Sequence, residues 1–198
     1  MKKVLLLVLI FVASLQSSMF SQSIADSYCR FYGGPSYLFV EDVDGLADSG
    51  INAGLLYGLN ITAGKLPFFF QFGGEFIYEG ANNEDEKIKE RLMCLAVPLN
   101  LSYKLGVRKF NVEPFIGANL RLNLYGHANG TGYKLLEVDY FDSRDINARR
   151  LMFGVNLGLN FNINDLSFGL RLNPDLMDYS KEYNSKFMHF FLTMGYTL

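Results

Sequence analysis

The sequence predicts an all-β fold: an eight-stranded antiparallel up-and-down transmembrane β-barrel, preceded by a signal peptide. The chain has 198 residues, which is enough for one domain. Apolar and polar side chains alternate in eight separate segments, and this period of two is typical of strands with two different faces. The links between the segments alternate between short and long, as in barrels with tight turns at one end and longer loops at the other.

The composition excludes several other classes of protein. Hydrophobic residues make up 49% of the chain and the net charge is only -2, so a disordered chain is excluded. The 18 Lys and Arg do not outnumber the 20 Asp and Glu, so we expect no nucleic-acid partner. Two cysteines are too few for a disulfide scaffold.

The first residues predict export from the cytoplasm. Lys2 and Lys3 precede an apolar run from Val4 to Leu15, which is too short for a bilayer span and typical of a secretory signal. Small residues follow, so we predict cleavage at about residues 21–25. The predicted signal peptide is 1–23, and the predicted barrel domain is 24–198.

Eight segments carry the strand pattern in chain order. In the sixth segment, Leu, Phe and Val occupy the odd positions, while the even positions after Met152 are Gly and Asn. The predicted strands are Cys29–Val40, Asn52–Thr62, Phe68–Glu79, Leu92–Leu105, Val112–Gly126, Leu151–Phe161, Leu166–Leu176 and Met188–Leu198.

Alternation alone leaves two barrels open, because a soluble lipocalin-like barrel places its apolar face inside and a membrane barrel places it outside. Here the polar face is built from Gly, Asn, Ser and Thr, with few of the charges that a solvated wall carries. The apolar face runs for about nine to eleven residues in most segments, the length that a tilted strand needs to cross a bilayer. We therefore predict a barrel in the bacterial outer membrane, with both termini in the periplasm.

Three stretches carry a resemblance to a known family. They are "FFFQFGGEFIYEGA", "LAVPLNLSYKLG" and "VEPFIGANLRLNLYG". With them, the chain resembles the small porin-like or PorT-like outer-membrane β-barrels common in Bacteroidetes. The resemblance implies an integral outer-membrane barrel, and the PorT branch of the family is tied to protein secretion. The shared motifs are structural, so they do not imply a conducting pore.

The predicted inward face carries charges that need partners, because an eight-stranded lumen is just wide enough to be filled by side chains. We expect Lys104 to face Glu113, and Asp175 to face His189. For Arg121 and Arg171, we expect Glu75 to be the nearest inward carboxylate. These groups form either a gate or ligand site, or a packed plug of salt bridges, and we favour the plug. The predicted interior charge cluster is Glu75, Glu79, Lys104, Glu113, Arg121, Arg171, Asp175 and His189.

An enzymatic site has only weak support. Asp175 and His189, with Ser180 or Ser185, offer the residue types of a nucleophilic relay. The pair faces the lumen, however, whereas a lipid-cleaving site must reach the membrane side. We predict no enzyme, no catalytic residues, no cofactor and no metal site, since no Gly-rich phosphate loop or His-rich cluster appears.

The third outer loop, residues 127–149, is the candidate partner surface. Tyr133, Tyr140, Phe141 and Arg144 belong to residue types that are enriched at binding sites. The alternative is a solvated loop without a partner. The predicted function is a monomeric, non-enzymatic barrel that contacts outer-membrane lipid and, through its outer loops, another envelope protein. A small transport or secretion component is the alternative, and a lipid-modifying enzyme is less favoured.

Overall fold

The structure is a computed structural model. The predicted signal peptide lies outside the described residues. The described residues are 27–40, 47–61, 68–80, 82–83, 88–107, 110–130, 137–139, 149–178 and 186–198.

The described residues form eight long strands, labelled β1 to β8 in chain order. Three short strands, Asn82–Asn83, Leu105–Val107 and Glu137–Asp139, accompany them. The long strands are β1 (Tyr28–Val40), β2 (Ala47–Asn60), β3 (Phe68–Gly80), β4 (Ile88–Tyr103), β5 (Phe110–Gly130), β6 (Leu151–Ile163), β7 (Leu166–Pro174) and β8 (Phe187–Thr197).

The long strands form one closed antiparallel barrel. Each pairs with its neighbours in the sequence, and β1 also pairs with β8, for example through Phe31 opposite Tyr196. Closure leaves no long strand with an open edge. The predicted up-and-down barrel is therefore confirmed. No helix among the described residues is long and apolar enough to cross a bilayer.

Burial decides which face points outward. In β7, Leu166, Phe168, Leu170 and Leu172 are each more than 40% exposed, whereas the alternate residues Ser167, Arg171 and Asn173 are buried. The same division holds along β6, where Leu157 is exposed and Asn156 is fully buried. The polar face fills the lumen and the apolar face forms an outer belt, which is the membrane arrangement and not the lipocalin-like one.

The two ends of the barrel differ. A two-residue turn joins β6 to β7, and Asn164 there has a φ of 54°, in the left-handed region that tight hairpin turns require. The start of β1 and the end of β8 lie at this end, because the Thr197 N–H donates to the Asp165 carbonyl oxygen at 2.7 Å and the Leu198 N–H donates to the Cys29 carbonyl oxygen at 2.8 Å. We call this the turn end and the opposite one the loop end.

Three strands extend further toward the loop end than the side-chain pattern indicated. β2 begins at Ala47, β4 begins at Ile88, and β5 continues to Gly130 instead of Gly126. The predicted loop 127–149 thus starts within a strand. Backbone pairing needs no apolar side chain, so a ladder continues after the period-two pattern has ended.

Candidate functional site: the lumen of the barrel

Buried polar side chains fill the lumen in three groups among the described residues. We call them the turn-end network, centred on Glu113; the middle pair, Glu75 and Arg171; and the loop-end network, centred on Arg121. All of them come from the inward positions of the alternating strands. Their ion pairs join residues that do not lie on neighbouring strands.

The turn-end network gathers five donor groups around one fully buried carboxylate, Glu113 on β5. The donors come from β1, β3, β4 and β6, so a single side chain ties five strands together. They are Tyr28 Oη at 2.7 Å, Gln71 Nε2 at 2.8 Å, Ser102 Oγ at 2.9 Å, Arg30 Nη2 at 2.9 Å and Asn162 Nδ2 at 3.2 Å.

The expected pairing of Lys104 with Glu113 is corrected by this network. The strand register does place Leu105 opposite Val112, as predicted. Glu113, however, forms its ion pair with Arg30, which reaches it from β1. Lys104 Nζ lies instead 4.1 Å from the centroid of the Tyr28 ring and 4.2 Å from that of Phe69, so it rests on aromatic faces.

The middle pair joins β3 to β7 across the lumen. Glu75 Oε1 lies 2.5 Å from Arg171 Nη2, and both side chains are buried. The Arg171 guanidinium also lies 3.9 Å from the centroid of the Phe191 ring. A cavity of about 30 Å³ borders Arg171 and Gln71. That volume holds about one or two water molecules and no larger solute.

The loop-end network corrects two further predicted pairings. Arg121 Nη2 lies 2.5 Å from Asp175 Oδ2, so the carboxylate partner of Arg121 is Asp175 and not Glu75. Asp175 is not opposite His189 either. Its N–H donates to the Phe187 carbonyl oxygen, and the ladder places Asn173 opposite His189.

His189 links two charged groups of the loop-end network. Its Nε2 accepts a hydrogen bond from Arg121 Nη1, and its Nδ1 lies 2.9 Å from Glu79 Oε1. A guanidinium only donates, so Nε2 is the acceptor of the ring and the Nδ1–H donates to Glu79. We assign this tautomer from the hydrogen-bond network.

An apolar cluster adjoins the loop-end network inside the barrel. Phe191 and His189 stack with ring centroids 5.9 Å apart. Sequence reasoning did not place these apolar side chains in the lumen, although their positions are in phase with the inward polar set. The cluster consists of Ile77, Leu92, Cys94, Ala96, Met152 and Phe191.

The structure leaves other predicted sites without a test. Ser180 and Ser185 of the hypothetical relay lie outside the described residues, as do the partner-loop residues Tyr133, Tyr140, Phe141 and Arg144. Within the part of the chain that is described, no three His, Cys, Asp or Glu side chains come together as a metal site would require.

Arg30 and Tyr28 are polar residues of the lumen that sequence reasoning did not include among the interior groups. Both are buried in the turn-end network. Arg30 stands at an even position of the first strand, in phase with the inward residues Gly34 and Ser36. That period-two phase was the signal that could have added it to the interior charges.

Comparison with known proteins finds similarity in fold only. No protein family and no curated protein sequence matches the chain. The attachment invasion locus protein Ail of Yersinia pestis, solved with the heparin analogue sucrose octasulfate, is 13% identical with a TM-score of 0.54. That match covers 87% of this chain and 99% of Ail.

Two more solved structures are similar over almost their full lengths. The outer membrane enzyme PagL is 11% identical with a TM-score of 0.54, covering 86% of this chain and 98% of PagL. Neisserial surface protein A, NspA, is 11% identical with a TM-score of 0.51, covering 88% of this chain and 97% of NspA. The chain therefore has the fold of the small bacterial outer-membrane β-barrels.

The fold and the belt together define the class of protein. Exposed Phe, Leu, Ile and Met side chains encircle the barrel, and such a surface is stable only in contact with lipid. The chain is an integral β-barrel protein of the bacterial outer membrane. Membership of the porin-like barrels of Bacteroidetes stays a prediction.

Proposed function

We propose that this chain is a non-conducting outer-membrane barrel without enzymatic activity, a rigid support whose outer loops contact another component of the envelope. The observation that carries the proposal is the filled lumen. Ion pairs and hydrogen bonds span it at three levels, and the cavity between two of these levels has room only for water.

The base of the third outer loop supports its role as the contact surface. Beyond the predicted strand ends, Lys89 of β4 pairs with Asn129 of β5, and His127 of β5 pairs with Asp139. The sheet therefore continues into the loop. A loop with a hydrogen-bonded base loses less conformational entropy when it binds a partner.

The position of Asp175 and His189 supports the absence of a lipid-cleaving relay. Both side chains are buried in the lumen and both already bind Arg121. A bilayer lipid contacts the outer face of the wall, so its ester bonds would lie on the other side of the strands.

Conductance in planar bilayers tests the filled lumen. The parent protein should give no steady ionic current, because its three buried groups block the lumen. The double variant Glu75→Ala with Arg171→Ala removes the middle pair and should give measurable, flickering current. A steady current through the parent protein would overturn the proposal in favour of the transport or secretion alternative.

The partner surface is tested by recovery of envelope proteins from solubilised outer membranes. Replacing Tyr133, Tyr140, Phe141 and Arg144 by alanine should reduce specifically recovered proteins. The matched control replaces Tyr179, Lys181 and Tyr183 by alanine. These are aromatic and basic residues of the predicted fourth outer loop, 179–185, and the control should still recover the same proteins. Equal recovery with both variants would contradict a role for the third loop.

Lipid analysis addresses the enzyme alternative. Membranes of cells with and without the protein should contain the same lipid species. A species that disappears on deletion and returns with the parent gene, but not with His189→Gln, would support the lipid-modifying enzyme instead.

A further inference from the structure

The outer wall carries a groove that is far larger than the cavity in the lumen. Its volume is about 380 Å³, against about 30 Å³ inside. It crosses the wall from β6 to β1, and none of the residues that line it is charged. Its principal lining residues are Gly33, Pro35, Phe161, Phe168, Leu192 and Met194.

The strand register explains why a groove forms there. Phe161 pairs with Phe168, Phe168 with Met194, and Met194 with Gly33, so these four residues form one row across four strands. Phe161, Phe168 and Met194 project large side chains outward, whereas Gly33 has no side chain. The groove has a glycine floor at β1, walled on one side by Met194.

Pro35 fixes the floor at the seam where the first and last strands meet. The β1–β8 ladder pairs Gly33 with Met194 and Ser36 with Phe191. Pro35 lies between these pairs and has no N–H to donate to β8. A larger residue at position 33 is disfavoured too, because its Cβ would lie 2.9 Å from the Asn52 carbonyl oxygen.

The register also gives the depth of the groove. Two ladder pairs, Ile163 with Leu166 and Asn162 with Ser167, separate the row of Phe161 and Phe168 from the turn at residues 164–165, and only the first of them faces outward. The groove therefore opens in the half of the apolar belt nearest the turn end. With the termini in the periplasm, this half faces the phospholipid leaflet of the outer membrane.

We infer that the groove is a binding site for one acyl chain of a phospholipid from the leaflet at the turn end. The lining is uncharged and lies within the belt, where hydrocarbon chains surround the barrel. Its floor is the backbone of one strand, about 5 Å wide. That width suits an extended hydrocarbon chain and is narrower than an α-helix, which is about 10 Å across.

A photoreactive lipid tests this site. The protein is reconstituted in vesicles of phosphatidylethanolamine in which a fraction of the lipid carries a diazirine midway along one acyl chain. After irradiation, mass spectrometry maps the adducts. We expect several-fold more adducts at Met194 and Leu170 than at Ile116 and Leu99, which match them in exposure at 59% and 41% against 57% and 41%.

A filling variant separates binding from general lipid contact. Leu192→Trp places a larger outward side chain in the groove and should lower labelling at Met194 to the level of Ile116. The control Leu99→Trp, on β4, should leave labelling at Met194 unchanged. The folded, heat-modifiable gel band shows that both variants are intact barrels.

Three outcomes would overturn the inference. They are equal labelling of the groove and control residues, groove labelling that Leu192→Trp does not reduce, and adducts that join two protein chains through the groove. The last would assign the groove to a second copy of the barrel. None of these outcomes bears on conductance or on the partner loop, so the test is independent of the proposed function.

Discussion

The two ends of the lumen hold their buried charges in different ways. At the turn end, Glu113 receives five hydrogen bonds from side chains on four other strands. At the loop end, Arg121 binds Asp175 and His189, but its Nε has no hydrogen-bond partner in the described part of the chain. Both polar atoms of the nearby Asn173 amide also lack one there.

This difference indicates where the stability of the lumen is concentrated. A buried carboxylate with all its donors in place is stable, but removing it leaves many donors without an acceptor. A network in which some polar atoms already lack a partner loses fewer hydrogen bonds when one of its members is substituted. We therefore expect substitutions at the turn end to cost more free energy of unfolding than equivalent substitutions at the loop end.

Glu113→Gln should have the largest effect. Arg30 loses its carboxylate, and the new amide nitrogen faces groups that donate. We expect a loss of about 3 to 5 kcal/mol in the free energy of unfolding, typical of breaking a buried pair from one side. Urea unfolding followed by circular dichroism measures it, since the chain has no tryptophan. Asp165→Asn, in the exposed turn, should behave like the parent.

Glu75→Gln should follow, with a loss of about 3 kcal/mol. The glutamine oxygen still accepts a hydrogen bond, but the buried Arg171 guanidinium loses its counter-charge and keeps only neutral neighbours such as the Phe191 ring. The same urea titration tests this, with Glu137→Gln in the outer loop as the second control. Equal stability of the Glu75 and Glu137 variants would mean that the lumen is wet enough to screen its charges, and it would weaken the non-conducting proposal.

Glu79→Gln should cost only about 1 kcal/mol, because the glutamine carbonyl oxygen still accepts a hydrogen bond from the His189 Nδ1–H. The decisive quantity is the ratio of this loss in unfolding free energy to the loss for Glu113→Gln, measured under identical conditions. If Glu79→Gln proved as costly as Glu113→Gln, the two ends of the lumen would be equivalent and the comparison would fail.

The smallest expected quantity is the coupling free energy between Glu79→Gln and Glu113→Gln, no more than about 0.5 kcal/mol, so the double variant should lose the sum of the two single losses. The described hydrogen bonds of the two networks have no residue in common. A double-mutant cycle from the four unfolding titrations measures the coupling. A larger value would show that the middle pair transmits strain between the two ends.

Sequence reasoning reached the strands and their faces because each strand repeats its pattern independently of the others. Leu157 could be placed outward and Asn156 inward from their neighbours alone. The pairing of Asp175 with His189 failed because it depended on a loop. Asp175 was assigned to His189 by counting across residues 179–185, but its backbone bonds to Phe187 instead.

The sequence by itself determined the eight strands, the polar lumen, the apolar belt and most of the inward charges, because these follow from the period of two within each strand. Only the tertiary structure decided that Glu113 binds Arg30 and that Arg121 binds Asp175 and not Glu75. Those pairs cross the lumen. Which inward residues share a height depends on the stagger of the strands when the barrel closes, and that stagger is a property of the whole sheet.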